Sequence, residues 1–246
     1  MKLLLLADRE VGLEIAQFVI EHYPQDLALL VTTAENDIFH ESRARKIPVY
    51  VFDTSERLVS HLASTKIDLD VLAWWPKIIK TQLLEIPRLG FINTHPSLLP
   101  FNRGKHYNFW AIVEEAPFGV SLHCVDDGID SGDIVAQQRI AYDWCDNGGS
   151  LYSKAQEAMV SLFRANYPTL REGKFPRYPQ DKDSGSFHWA SELEQASRLE
   201  LNASYSGREM LNLLRARTFL GHPGCWFEEN DEKYEVRIEI RKQKSE

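Results

Sequence analysis

The stretch FINTHPSLLP, residues 91–100, opens as an apolar strand, displays an amide and an imidazole two positions apart, and turns at once. Side chains two apart on a strand point to one face, so Asn93 and His95 face the same way. Pro96 withdraws a backbone donor and breaks the strand immediately after them. The pair is thus presented at the carboxyl end of a strand, where open α/β sheets place their ligands. An amide and an imidazole there can donate hydrogen bonds and carry a proton. The plainer alternative is a hydrogen-bonded core histidine beside a turn-forming asparagine.

A second cluster is DDGIDSGDI, residues 126–134, in which Asp126, Asp127, Asp130 and Asp133 crowd a turn with two glycines. Counted from Asp126, a calcium loop of the EF-hand type needs Gly at 131 and Glu at 137; the chain has Ser131 and Gln137, so that reading fails. Two readings stay open: a plain acidic turn, or an aspartate that reaches back to His95, orients the ring and favours its charged form. No GxSxG elbow surrounds any serine, which leaves Ser97 a poor nucleophile. No GxGxxG follows the first strand, where the turn reads ADREVG, so no dinucleotide cofactor is expected. No HExxH or comparable ligand spacing appears, and no metal is expected.

The elements that must position these residues alternate. Apolar strands over 3–7, 28–33, 48–52, 70–75 and 91–95 are separated by helical patterns over 10–23, about 36–45 and 55–64, and by a short TQLLEI helix. That alternation argues for a parallel sheet covered on both faces, a Rossmann-like α/β domain. GVSLHCV (119–125) and DIVAQQRIA (133–141) follow with no helix between them, which predicts an antiparallel addition. A helix over about 149–165 then carries Leu151, Ala155, Ala158, Met159, Leu162 and Phe163 on one face. PRYPQDKDSGSF (176–187) reads as a linker or surface loop. Beyond it, SGREMLNLLRAR reads as a helix, and GCWFEE and KYEVRIEI as a hairpin closed at Asn230 and Asp231. Residues 1–175 are therefore expected to form a catalytic domain, and 176–246 a linker with a small C-terminal helix and β-hairpin unit that needs a partner surface, such as a second subunit.

At 246 residues with 43% hydrophobic content, the chain can bury a large core. Its net charge of -8 argues against nucleic acid as a partner, because phosphate binding favours a basic face. Cys124, Cys145 and Cys225 are few, odd in number and far apart, which fits a reducing cytoplasm better than a disulfide framework. The opening MKLLLLADRE is too short and too soon charged for a signal peptide, and no segment is long enough to span a membrane.

Three blocks in order, N-x-H-PSLLP-x-x-RG from Asn93, GVSLH from Gly119 and D-x-G-x-D-S-G-D-I from Asp126, resemble the N10-formyltetrahydrofolate-dependent formyltransferases over roughly residues 1–175. The resemblance implies a formyl transfer in which Asn93, His95 and Asp130 are catalytic. It implies N10-formyltetrahydrofolate as co-substrate, its pterin cradled by AWWPKII, with Trp75, Pro76, Lys77, Ile78, Ile79 and Asp126 as the binding set. RGKHYNFW (103–110) and RARTFLGHPGCWF (215–227) look most like sugar N-formyltransferases acting on dTDP-4-amino-4,6-dideoxyhexoses, as in O-antigen synthesis. The acceptor's diphosphate then calls for Lys77, Arg103 and Lys105, with Arg9, His106 and Tyr107 near the sugar or base. Tyr107, Trp110 and Trp226 could stack on thymine or simply pack, and His123 reads as structural.

In the implied reaction the amine attacks the formyl carbon, and donors aimed at the carbonyl oxygen lower the barrier. Asn93 and His95 supply them, Asp130 holds His95, and either His95 or a water held by Asp130 carries the proton. Alternatives within the same resemblance are methionyl-tRNA or glycinamide ribonucleotide formyltransferases and a formyltetrahydrofolate hydrolase. ADREVG lacks the Gly-rich phosphate loop of the second, and in residues 181–246 acidic residues outnumber basic ones, unlike the tail of the first. The hydrolase usually has a regulatory domain ahead of the first strand, for which the start at ADREVG leaves no room. The small unit is expected to pair two copies of the chain.

Overall fold

Leu3, Leu4, Leu5 and Leu6 are all fully buried, although successive strand residues point to opposite faces. Only a strand covered on both sides accommodates such a run. It is β1 (Leu3–Ala7), inside a seven-stranded sheet. The computed structural model describes residues 1–181 and 183–243.

The chain continues through α1 (Arg9–His22), β2 (Leu27–Thr32), α2 (Asp37–Ala44), β3 (Val49–Val51), α3 (Ser55–Leu62), β4 (Leu69–Ala73), α4 (Thr81–Leu84) and β5 (Phe91–His95). A two-residue β6 (Arg103–Gly104) and α5 (Tyr107–Val113) precede β7 (Gly119–Cys124), β8 (Ile134–Arg139) and the long α6 (Gly148–Glu172). The tail holds β9 (Phe187–His188), α7 (Glu192–Ala196), α8 (Gly207–Arg217), β10 (Cys225–Glu229) and β11 (Glu232–Val236). The large sheet runs β3-β2-β1-β4-β5-β7-β8. Its first five strands are parallel, and β7 joins β5 antiparallel, so the sheet gains an antiparallel element in the expected region, although the pair observed is one that α5 separates.

Two compact units divide the chain: residues 1–95, 121–137 and 157–180, and residues 96–120, 138–156 and 181–246. In the first unit, one sheet face contributes Leu4, Leu6, Leu29, Val31, Leu72 and Phe91 to a core closed by Leu58, Leu62 and Leu83. The other face is approached by α1 so closely that a Cβ on Gly12 would meet the Ala73 carbonyl at 2.9 Å. The far end of α6 is tied down by a buried acid: Asp26, 1% exposed, accepts from Arg171 Nε at 2.8 Å, from Arg171 Nη2 at 3.0 Å and from the Tyr167 hydroxyl at 3.2 Å. A buried acid also lies on β4: Asp70 is fully buried, and neither carboxylate oxygen has a side-chain hydrogen-bond partner among the described residues.

In the second unit, α8 starts at a capping box made by Ser206 and Glu209. Its buried Arg215 donates to the carbonyls of Asp143 and Asp146, which pins that loop. The hairpin β10–β11 turns on Asn230 and Asp231, both at positive φ, as a two-residue reverse turn requires. Leu199, Leu214 and Cys225 form a small core backed by Met210, Leu213, Phe227, Val236 and Ile238.

Several expectations shift. β4 ends at Ala73, so Trp74 and Trp75 lie in the loop beyond it rather than in the strand. The α6 pattern extends to Glu172, through Pro168. Residues 107–113, read without a helix, form α5. Among the described residues no helix is long and apolar enough to cross a membrane.

Candidate active site

Strand β5 sets Asn93 opposite His123 and His95 opposite Ser121 on β7. Between them, Thr94 faces the other way and serves as a bracket: its hydroxyl donates to the Leu72 carbonyl and accepts from the Trp74 amide, both at 3.0 Å. The end of β5 is therefore locked to the end of β4.

His95 is 5% exposed, and its Nδ1 faces Asp130 Oδ1 at 3.3 Å. A carboxylate can only accept, so the proton of that contact sits on Nδ1 and leaves Nε2 as the ring's working nitrogen. Asp130 reaches this position from a loop with constrained backbone. Its own φ is 53°, in the left-handed region. Upstream, Asp126 Oδ1 accepts from the Gly128 amide at 3.0 Å and the Ser131 hydroxyl at 2.8 Å, closing the turn. Downstream, any Cβ at Gly132 would collide with the Cys124 carbonyl.

His123, read from sequence as structural, stands within the cluster. Its Nδ1 donates to the Cys124 carbonyl at 2.8 Å, so Nε2 accepts from Asn93 Nδ2 at 3.1 Å. Burial, reinforced by neighbouring His95, lowers its pKa to about 4, and the ring is neutral near pH 7. Asp130 Oδ1 lies 3.7 Å from the same Nε2. No sequence signal short of the β5–β7 register places His123 opposite Asn93.

The donor atoms of His95, His123 and Asp130 lie within 4.8 Å of one another, a set that a transition metal could also take. Here the lone pair of His123 Nε2 is engaged by Asn93, and His95 Nδ1 faces the carboxylate. The arrangement is that of a hydrogen-bonded relay: a fixed amide donor, an oriented imidazole and a carboxylate behind it.

Around it in the first unit, Trp75 is half-buried against Phe52, rings 5.3 Å apart and edge-on, with its Nε1 buried and unpartnered among the described residues. Lys77 Nζ sits 4.9 Å above the same Phe52 ring. Pro76 and Lys77 are exposed, Ile78 is 90% exposed, and Ile79 packs on the core. Arg9 is exposed at the start of α1, beside Asp8, whose carboxylate accepts from the Arg9 amide and the Thr33 hydroxyl. That acid occupies the helix N-terminus where a dinucleotide would place its phosphates.

Arg103, Lys105, His106 and Tyr107 belong to the second unit. Arg103 Nε is buried without a hydrogen-bond partner among the described residues, and Lys105 is exposed. His106, at φ 60°, precedes α5, and its pKa is lowered by burial and by the Arg217 and Lys105 charges. Tyr107 is buried between Phe118 and Tyr152, stacked at 6.4 Å on each. Trp110 stacks on His188 at 3.7 Å, and Trp226 lies between Arg198 and Lys233.

Two family models match. One, formyl transferase, covers residues 16–165, and the other, an N-formyltransferase dimerization C-terminal domain, covers 192–242. A dTDP-4-amino-4,6-dideoxyglucose formyltransferase from Mycobacterium tuberculosis is 29% identical over 154 residues, 62% of this chain and 65% of the relative. The match thus spans just under two thirds of that relative's length. A methionyl-tRNA formyltransferase from Carboxydothermus hydrogenoformans is 26% identical over 219 residues, 79% of this chain and 70% of the relative. The fold is shared with an N-formyltransferase from Helicobacter canadensis solved with folinic acid and dTDP-3-aminofucose, at a TM-score of 0.74 and 18% identity, covering 94% of this chain and 85% of that one. The first model takes in over half of the chain together with Asn93, His95, His123 and Asp130, and the chain belongs to the formyl transferase family.

Proposed function

We propose that this protein transfers the formyl group of N10-formyltetrahydrofolate to the amine of a nucleotide-linked amino-dideoxysugar, dTDP-4-amino-4,6-dideoxyglucose being the first candidate. The observation that carries the reading is the approach of His95 Nδ1 to Asp130 Oδ1 at 3.3 Å, on a strand that also presents Asn93. Sugar substrates are favoured over tRNA by the net charge of -8 and by the match of 192–242 to a dimerization domain.

In this reading the neutral amine attacks the formyl carbon, and the carbonyl oxygen gains negative charge. One Asn93 Nδ2–H is held by His123, and the second donates to that oxygen. A single such donor is worth about 2.7–4 kcal/mol of barrier. His95 Nε2 takes the amine proton as the new C–N bond forms, and Asp130 stabilises the cation so produced. The bond from the formyl carbon to N10 then breaks, and His95 returns the proton to N10. The folate rests on the 75–79 segment, where Trp75 and exposed Ile78 offer apolar surface, with Asp126 as a further contact; Lys77, Arg9, Arg103, Lys105, His106 and Tyr107 serve the nucleotide sugar. Two copies pair through the C-terminal unit. Three free cysteines suit a reducing cytoplasm.

The test is a panel of nucleotide aminosugars incubated with formyl-folate and read as a mass gain of one formyl group, with methionyl-tRNA as a parallel acceptor. Gain on a dTDP-aminosugar supports the proposal. Gain on methionyl-tRNA alone, or deformylation of the folate without an acceptor, replaces it.

A further inference from the structure

We infer that Gln180 is a positioning residue for Asp130, an inference that rests on the catalytic reading above. The segment carrying it reads from sequence as a linker, yet it is fastened to the sheet: Tyr178 and Ile134 exchange both backbone hydrogen bonds, at 2.8 and 2.9 Å. Arg177 adds a bond to the Leu89 carbonyl at 2.9 Å. Two residues beyond the Tyr178 bridge, the Gln180 side chain lies against the aspartate loop. Its Nε2 donates to the carbonyl of Asp130 at 2.9 Å and to that of Gly132 at 2.7 Å. Both hydrogens of one amide nitrogen are thus spent on the carbonyls of the loop, while Oε1 is buried without a partner among the described residues.

This is a demanding arrangement. Asp130 holds a left-handed φ of 53°, which persists only where surrounding structure over-determines it. The loop's own side-chain bonds, from Gly128 and Ser131 to Asp126, lie on its upstream side, and the Cys124 amide holds the Asp133 carbonyl at 2.8 Å at its downstream end. The carbonyls flanking Ser131 are gripped by Gln180. Loss of that grip loosens the backbone at Asp130, and relaxation toward an ordinary conformation would carry its carboxylate away from His95 Nδ1. A donor is required: Gln180→Glu would set a carboxylate against two carbonyl oxygens.

The experiment compares Gln180→Ala and Gln180→Glu with the wild type, alone and in an Asp130→Asn background. The expected result is a loss of kcat by about 10- to 100-fold, with KM for folate and sugar within about threefold, since the formyl donor and the acceptor amine bind as before. In the Asp130→Asn background the Gln180 substitutions should cost nothing further, because the strap acts only through that carboxylate. A kcat within twofold of wild type, or the same fold-loss persisting in the Asp130→Asn background, overturns the inference. Hydrogen exchange of the amides at 128–133 reads the strap without any assay of activity. Faster exchange confined to that loop in Gln180→Ala is expected, and unchanged exchange overturns the strap even if the wild type transfers no formyl group. A wild type inactive on every acceptor, with the loop loosened as expected, instead overturns the catalytic reading alone.

Discussion

Asn93 and His123 lie directly across from each other on antiparallel β5 and β7, and the Asn93 amide donates to His123 Nε2 at 3.1 Å. An asparagine amide has two ends of similar shape and opposite polarity. A neutral imidazole nitrogen opposite it selects the nitrogen end and leaves one N–H for a ligand oxygen.

If that selection matters, His123→Ala lowers kcat for formyl transfer by about 10- to 100-fold, the equivalent of roughly 1.4–2.7 kcal/mol. His123→Gln, which retains an acceptor, recovers part of the loss. Steady-state kinetics with folate and sugar varied separately check it; an unchanged kcat in His123→Ala would show that Asn93 needs no partner.

The same histidine makes stability depend on pH. Its folded pKa, lowered to about 4, lies below the value near 6.5 that it has when unfolded. The unfolded chain therefore binds the proton more readily between these values, and stability is lost as pH falls from about 6.5 toward 4. Thermal melts should show a shallower decline over that window in His123→Leu than in the wild type.

Asp70 presents the opposite case. Burial raises its pKa well above that of a free carboxyl, and the backbone amide of Val71 offsets only part of that rise. The unfolded residue ionises first as pH rises, so stability falls from about pH 4 upward until the folded pKa is reached. Asp70→Val, a β-branched residue of similar size on a buried strand, should raise Tm at pH 7 by several degrees, for a gain of about 1–3 kcal/mol. The gain should shrink toward pH 4. A lower Tm at pH 7 would mean that the carboxyl has a role in the fold.

Much of this architecture is legible in the chain. The alternation of LLLLA, ALLVTT and FINTH with amphipathic helices predicts the parallel sheet, and the two strands over 119–141 with no helix between them predict an antiparallel element. Asn93 and His95 can be placed on one face because a two-residue period fixes them. Asp130 meets His95 across 35 positions of sequence, a pairing that the residues suggest but only register and loop geometry decide. His123 and Gln180 escape for related reasons. One is defined by which β5 residue it opposes, and the other by where a Pro-rich stretch happens to run. Trp74, at φ 57°, leaves the strand because its amide is captured by the Thr94 hydroxyl, a tertiary contact with no local signature.

The hairpin carries its own prediction. Tyr234, 42% exposed, stacks on Phe227 at 5.2 Å, so an aromatic face of β10–β11 is open to a second copy of the chain. Sedimentation at micromolar concentration should show a dimer, and Tyr234→Glu should shift it toward monomer. A monomeric wild type removes the pairing from the account.

The most direct test of the whole account is single-turnover formyl transfer by His95→Ala and Asp130→Asn, paired with measurement of folate binding by each. The account predicts a rate lower by about 10²–10⁴-fold in both variants, with folate affinity within about threefold of wild type. Near-normal turnover in either variant would contradict it.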